Sequence, residues 1–417
     1  QVNKLANQIK YKLSGSLNIV GDKSISHRSL IISAMAIGKS EITNLLESED
    51  IFSTIKVLKA LGIKIKKDLS KWVVIGNGTN GFMQPNEALD CGNSGTTSRL
   101  MLGATSSNPI FATFTGDKSL CSRPMSRVTS YLEKMGAIAT LTNKDFFPLT
   151  LLGTDEMLPL KHVINKPSAQ VKSALILSAL NIAGKTTIIE KKRTRNHTEL
   201  LLKYFNVKFK KEILQDFSIK YTFSGPYEIN AKNIKVSGDP SSAAFFIVGA
   251  LITPNSKITI KNVCLNETRI EYLNILKKMG GKIRIKKSLN HSGEITGSIQ
   301  VKYSKLKGVI IPDKLSAYLI DEFPILSIAA SRAKGITKMK GLGELRFKES
   351  DRIKSIITNL KKMKISCDVI KDDITIKGNS NNHTGGNTIK TYGDHRIAMS
   401  FKILELICEK KLKFDNK

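Results

Sequence analysis

GDKSISHRSLIISAMA, residues 21–36, is the stretch that decides how the chain is read. A short polar loop holding Gly, Lys, Ser and Arg runs directly into a run of Ile, Leu, Ser and Ala. The same change of character recurs five more times, at CGNSGTTSRLMLGA (91–104), KPSAQVKSALILSAL (166–180), GDPSSAAFFIVGAL (238–251), IDEFPILSIAA (320–330) and YGDHRIAMSFKILEL (392–406). The starts lie 70, 75, 72, 82 and 72 residues apart, near one-sixth of the 417-residue chain. A fixed period of this size marks an internal repeat.

After most of these segments come a turn and a β-like stretch, then a second helix with apolar residues three and four apart, a turn, and a period-two strand. SEDIFSTIKVLKALGIKIKK (48–67), RPMSRVTSYLEKMGAIAT (123–140), RNHTELLLKYFNVKFK (195–210), NETRIEYLNILKKMGGKIRIK (266–286) and KESDRIKSIITNLKKMKISCDV (348–369) are its five clear copies. Ser48 with Glu49 and Asp50, and Asn266 with Glu267, put capping residues where such helices should begin. The opening helices carry Ala, Ser, Ile and Leu on more than one face, which predicts helices buried inside their domain with strands outside. A solenoid is the competing architecture, but six long units without polar capping repeats fit two closed domains better. The expectation is an α/β chain of two domains of three βαβαββ-type units each, with a seam near Val236–Gly238. One domain spans residues 20–237; the other combines 1–19 with 238–417, its last unit either whole or incomplete. The strand near residues 12–20 is expected to pair with the C-terminal half.

The net charge of +31 admits a nucleic-acid partner, yet only 12 of the 66 basic residues are arginine. The lysines are scattered, and no arginine–aromatic stripe or groove-reading motif accompanies them. A lysine-biased solvated surface is the simpler account, and it also attracts anionic metabolites. Five separated cysteines without a CxxC suggest neither a zinc site nor a disulfide framework, and fit a reducing compartment. No run reaches the ~18 apolar residues of a membrane span. The sequence opens on Gln1 rather than Met and stops at Lys417, so missing terminal residues are expected.

Where arginine is scarce, its positions inform. Arg28, Arg123, Arg195, Arg352 and Arg396 stand at or just before helix starts, where the planar fork suits carboxylate and phosphate; helix-terminal salt bridges are the alternative. GDKSISHR and CGNSGTTSR each offer glycine and free backbone donors at a helix N-terminus, a cradle for an anion. Neither is a P-loop or a dinucleotide fingerprint. Asp321 and Glu322 lie among apolar residues, and Lys348, Glu349, Asp351 and Arg352 alternate in sign. Either cluster suits acid–base work tuned by neighbouring cations, and helix capping with ion pairing covers the second equally. His395 could move protons near neutral pH or simply be held by Asp394.

GDKSISHR, GNSGT, the RPM of GDKSLCSRPM, PSAQVKSA, TRNHTE, IDEFP, KESDR and YGDHRIAM, in this order, resemble the 3-phosphoshikimate 1-carboxyvinyltransferase (5-enolpyruvylshikimate-3-phosphate synthase) family over nearly the whole chain. PSAQ and IDEFP look like its class II branch. The resemblance implies two inside-out α/β barrel domains with the active site in the cleft between them. It implies a cytoplasmic, monomeric transferase of the shikimate pathway, with no metal or organic cofactor and no nucleic-acid or membrane partner. Its two substrates would be phosphoenolpyruvate and shikimate 3-phosphate. Ser24 and Arg28 would hold the shikimate carboxylate, and Ser168, Ala169, Gln170 and Arg195 its ring and 3-phosphate, with Lys23, Asp321 and Lys348 beside them. Lys23, Arg123, Gln170, Arg352 and Arg396 would hold phosphoenolpyruvate, with Asn93, Gly95 and Thr96 against it.

Asp321 would take the proton of the 5-hydroxyl, Glu349 would protonate the methylene carbon with Lys23 assisting, and His395 would help near the phosphate or Glu349. The family also continues beyond the position of Lys417, and glyphosate competes in it with phosphoenolpyruvate at the pocket beside Gly95. One alternative is the enolpyruvyl transferase of UDP-N-acetylglucosamine, which looks for Lys-Asn where this chain has Lys23-Ser24. It also needs a loop cysteine where Lys118 stands, and Cys121 does not match. The other is a basic nucleic-acid-binding protein, which predicts salt-sensitive retention of nucleic acid.

Overall fold

The computed structural model describes residues 11–380 and 383–415, apart from the side chains of 289–291; the expectations about the two chain ends lie outside them. The chain divides into two compact units. One gathers the stretch ending at Ile19, Gly238–Leu289 and everything from Ile295 onward; the other holds Val20–Ser237 together with Asn290–Glu294. That last five-residue insertion has no signal in the sequence.

Five four-stranded sheets recur among the described residues with one wiring. In the second repeat, the short strand Leu89–Asp90 runs parallel to Phe111–Thr115, which pairs antiparallel with Phe146–Leu152, and Ile138–Thr142 closes the far edge. Strand Ile219–Gly225 shows why such segments are strands: Ile219, Tyr221 and Phe223 alternate inward with half-exposed neighbours. Period-two burial of large apolar side chains stabilises a strand with one covered face.

The opening helices behave as their composition requires. Lys23–Ala34 buries every residue from Ile25 to Ala34, and Phe323–Arg332 is buried along its whole length. The sixth, His395–Glu405, departs from expectation and buries one face only, Arg396, Ile397, Ser400, Phe401 and Leu404. Lys402 and Glu405 form an ion pair at 2.7 Å on its other side. Two short two-stranded ladders accompany it instead of a full sheet. Of the two capping expectations, the first holds in position and the second is corrected. Ser48 sits at the N-cap of Glu49–Ala60 without a side-chain bond to the helix. Asn266 accepts from Thr268 N in a local turn, and the helix itself starts later, at Glu271–Lys278.

In the first repeat of each unit the edge strand comes from far away in sequence. Ser14–Asn18 lies parallel to Lys257–Cys264, with Ser14 opposite Lys257, and Ile234–Lys235 lies parallel to Ile37–Thr43. The Gly-Asp loops at Gly21 and Gly238 sit where these exchanges occur. A Cβ on Gly21 would lie 2.0 Å from the Asn44 carbonyl, and one on Gly238 would lie 2.5 Å from that of Asn262. Both contacts are impossible for any residue but glycine. Among the described residues no helix is long and apolar enough to cross a membrane.

Candidate active site

In the unit containing Val20–Ser237, three opening helices present their N-termini with polar side chains around them. Asp22 caps the first, accepting from Ile25 N at 2.8 Å, which frees Lys23 and Ser24 to stand on its first turn. Lys23 Nζ pairs with Asp50 Oδ2 at 2.6 Å, both partly exposed. Arg28 is nearly buried and is gripped by neutral oxygens: its Nε donates to Thr198 Oγ1 (2.7 Å), Nη2 to Ser173 Oγ (2.9 Å) and Nη1 to the Ser24 carbonyl (2.9 Å). Ser94 and Ser168 cap the second and third helices.

Around those caps Arg99 Nη1 donates to Gln170 Oε1 (2.6 Å), and Gln170 Nε2 donates to Thr96 Oγ1 (3.1 Å). Arg123 Nη2 donates to Asn93 Oδ1 (2.6 Å) and Ser119 Oγ (2.9 Å), while its buried Nε–H has no partner among the described residues. A buried charged donor without an acceptor is costly, and an anion would satisfy it. Arg195 stands half-buried two residues before the helix His197–Tyr204.

Behind these loops runs a buried chain of hydroxyls. His27 Nδ1 bonds Thr54 Oγ1, Thr54 bonds Thr97 Oγ1, and Thr97 donates to the cap Ser94 Oγ, each at 2.7 Å. Burial, helped by Lys23 and Arg28 and opposed by Asp50, pushes the His27 pKa down to about 3. The unfolded chain, with a histidine near 6.5, therefore binds more protons than the folded one between those values. Stability present above pH 6.5 is lost as pH falls toward 3. His27 alone should remove about 2 kcal/mol by pH 5. Denaturation midpoints at pH 7 and pH 5 should show this loss, and a smaller one in His27→Gln; equal losses in both proteins would exclude His27 as the source.

The other unit gathers carboxylates around arginine. Arg352 is fully buried and meets three of them: Nη2 to Glu349 Oε2 at 2.6 Å, Nε to Asp394 Oδ2 at 2.8 Å and Nη1 to Asp321 Oδ1 at 3.4 Å. Burial opposes its charge, but Glu349, Asp394 and Asp321 together outweigh burial and raise the Arg352 pKa above its ordinary value. Arg396 Nε lies 3.7 Å from Asp321 Oδ1, and its Nη1 donates to the Asp321 carbonyl at 3.4 Å.

The neighbours Asp321 and Glu322 part company. Asp321 stays partly exposed among arginines, whereas Glu322 is fully buried and accepts from Ser241 Oγ. Asp394 accepts from Arg352, Ser350 and the helix N–H of Arg396, and His395, on the same helix start, is exposed. Lys348 is half-buried at the end of the turn Gly343–Phe347.

The structure thus brings Lys23, Ser24 and Arg28 together, Asn93, Gly95, Thr96, Arg123 and Gln170 together, and Asp321, Glu349, Arg352 and Arg396 together. Sequence reasoning missed Asp50, Ser173, Thr198 and Asp394 as partners of these groups and counted Arg99 only as the end of the second cradle. For Arg99 a signal existed, an arginine ending GNSGTTSR; the others depend on which loops meet.

Comparison with known proteins shows the family of this chain. The EPSP synthase (3-phosphoshikimate 1-carboxyvinyltransferase) family model matches residues 7–417. The 3-phosphoshikimate 1-carboxyvinyltransferase of Mesorhizobium japonicum is 42% identical over 413 residues, covering 97% of this chain and 91% of the relative. That of Zymomonas mobilis is 41% identical over 410 residues, covering 97% and 90%. A solved EPSP synthase of Acinetobacter baumannii superposes with a TM-score of 0.85 at 36% identity, covering 97% of this chain and 92% of the other. The enolpyruvyl transferase NikO from Streptomyces tendae, 15% identical with a TM-score of 0.74 over 97% and 91% of the two chains, shares the fold. On a family match spanning nearly every residue, the chain belongs to the EPSP synthase family.

Proposed function

We propose how these residues carry out the family's reaction. The enzyme transfers the enolpyruvyl group of phosphoenolpyruvate to the 5-hydroxyl of shikimate 3-phosphate and releases phosphate. The observation that carries the assignment of roles is the convergence of Asp321 and Glu349 on one buried cation, Arg352, beside Arg396. Asp321 removes the 5-hydroxyl proton as that oxygen attacks C2 of phosphoenolpyruvate, and Glu349 delivers a proton to C3. The tetrahedral intermediate then loses a proton from the new methyl carbon and expels phosphate, restoring the double bond.

For Arg352 to hold the incoming anion, Glu349 has to release its 2.6 Å contact, which frees that carboxyl for C3. Lys23, Asn93, Gly95, Thr96, Arg123, Gln170 and Arg396 complete the phosphoenolpyruvate site. Ser24, Arg28, Ser168, Ala169, Gln170, Arg195 and Lys348 take shikimate 3-phosphate, and His395 assists at the departing phosphate. Fixed cations aimed at developing charge are the main source of rate in such a site. The sheets of each unit wrap their buried helices as an inside-out barrel, and the enzyme works as a cytoplasmic monomer.

The direct test is phosphate release by the full chain. Release should require both substrates together. Release with UDP-N-acetylglucosamine as acceptor, or none with shikimate 3-phosphate, would overturn the reading.

Gly95 gives a sharper prediction. A Cβ there would lie 3.1 Å from Arg99 Nη1 and 3.5 Å from Arg123 Nη1. The methyl would crowd the Arg99 guanidinium and touch that of Arg123 at the phosphoenolpyruvate pocket, where glyphosate, the longer molecule, has less room to shift. Gly95→Ala should raise the glyphosate inhibition constant about tenfold or more, and the KM for phosphoenolpyruvate by less. The comparison needs matched phosphoenolpyruvate saturation, and an unchanged inhibition constant would move control of access elsewhere.

A further inference from the structure

Beneath the shikimate 3-phosphate groups lies a buried ion cluster that the reaction does not use. Lys172 is fully buried, its Nζ 2.9 Å from Glu190 Oε1 and 2.8 Å from Glu199 Oε1, and it lies over the Tyr221 ring at 5.4 Å. Tyr221 Oη donates to Glu190 Oε1 at 3.3 Å. Burial and the two carboxylates push the Tyr221 phenol far above its ordinary pKa, which keeps it a neutral donor.

Each ion sits next to a group that grips the site. Ser173 follows Lys172 in the helix Ala169–Ala179, and Thr198 precedes Glu199 in the helix His197–Tyr204. The Ser173 and Thr198 hydroxyls bond each other at 2.7 Å, and both accept from Arg28. Glu190, at the end of strand Gly184–Glu190, accepts with Oε2 from Thr194 N (3.2 Å) and Thr194 Oγ1 (2.7 Å), immediately before Arg195.

A buried ion triad is weak support for stability, since apolar side chains of similar volume usually do as well. What the ions supply here is direction, because three backbone segments are tied to one ammonium group. We infer that Lys172, with Glu190 and Glu199, is a positioning residue that orients Arg28 and the Thr194–Arg195 turn for shikimate 3-phosphate. The inference rests on the proposed roles of Arg28 and Arg195.

The test is steady-state kinetics on the full chain with Lys172→Met, Glu190→Gln and Arg28→Lys, with folding followed by circular dichroism. Lys172→Met should raise the KM for shikimate 3-phosphate about tenfold or more, with the KM for phosphoenolpyruvate and kcat changing by less than about threefold. Glu190→Gln keeps an oxygen for Thr194 and leaves Lys172 paired with Glu199, so it should shift the same KM in the same direction by less. If Lys172→Met does not fold, that selective shift in Glu190→Gln decides the matter. A folded variant with parent-like KM, both KM values rising together, or failure of both variants to fold would overturn the positioning role. A parent-like KM in Arg28→Lys would instead overturn the site assignment beneath it.

Discussion

Asp321→Asn and Glu349→Gln should each lower kcat by about 10²–10⁴-fold, the usual contribution of a general acid or base. The substitutions are nearly isosteric. A glutamine at 349 still offers an oxygen to Arg352 Nη2, and an asparagine at 321 still faces Arg352 and Arg396. Geometry and the local arginines therefore survive, while the exchangeable proton or its acceptor is lost. Affinity for shikimate 3-phosphate should change far less, because the proposal gives most of its grip to Arg28, Arg195 and the 168–170 turn. Measuring kcat alongside the dissociation constant of shikimate 3-phosphate separates the two effects. Near-parental turnover in either variant removes that residue from acid–base work.

Arg352→Met should destabilise the protein by about 3–5 kcal/mol, the range for removing one partner of a buried ion pair. Asp394 is itself fully buried, and with Arg352 gone its side chain keeps, among the described residues, Ser350 Oγ at 3.1 Å and the Arg396 N–H at 2.9 Å. Urea unfolding gives the size of the loss. A second substitution, Asp394→Asn, made in the Arg352→Met background, should restore part of it by removing the stranded charge. If Arg352→Met costs less than about 1 kcal/mol, the ion cluster is solvated well enough that Asp394 needs no cation.

The repeat was legible in the sequence because each unit begins with a local contrast: a polar loop, then a helix with no charged face. The sixth helix broke the rule where Lys402 and Glu405 enter its pattern, and there burial fell to one side. The arginines could be picked out by scarcity, but their partners could not. Thr198 is 170 residues from Arg28 and Asp394 is 42 from Arg352. Neither hydroxyl nor carboxylate has a local signature for meeting a guanidinium. Asp321 and Glu322 read alike in one dimension. Only folding shows that one faces two arginines and the other a buried serine. Asn266 failed as a cap because its turn was satisfied locally by Thr268, leaving the helix to begin later without it.

The exchanged edge strand has a consequence during synthesis. Ser14–Asn18 is translated 243 residues before Lys257, the partner of its first residue. At the usual ~5–20 residues per second, the nascent strand waits about 12–50 s for the ladder it completes. A waiting strand is a hazard when it is apolar and β-branched, since it then pairs with other chains. SGSLN is neither: two serines, a glycine and an asparagine surround one leucine, and most of the strand stays exposed even when folded. Low self-affinity lets this segment remain single on the ribosome until its place in the sheet has been made.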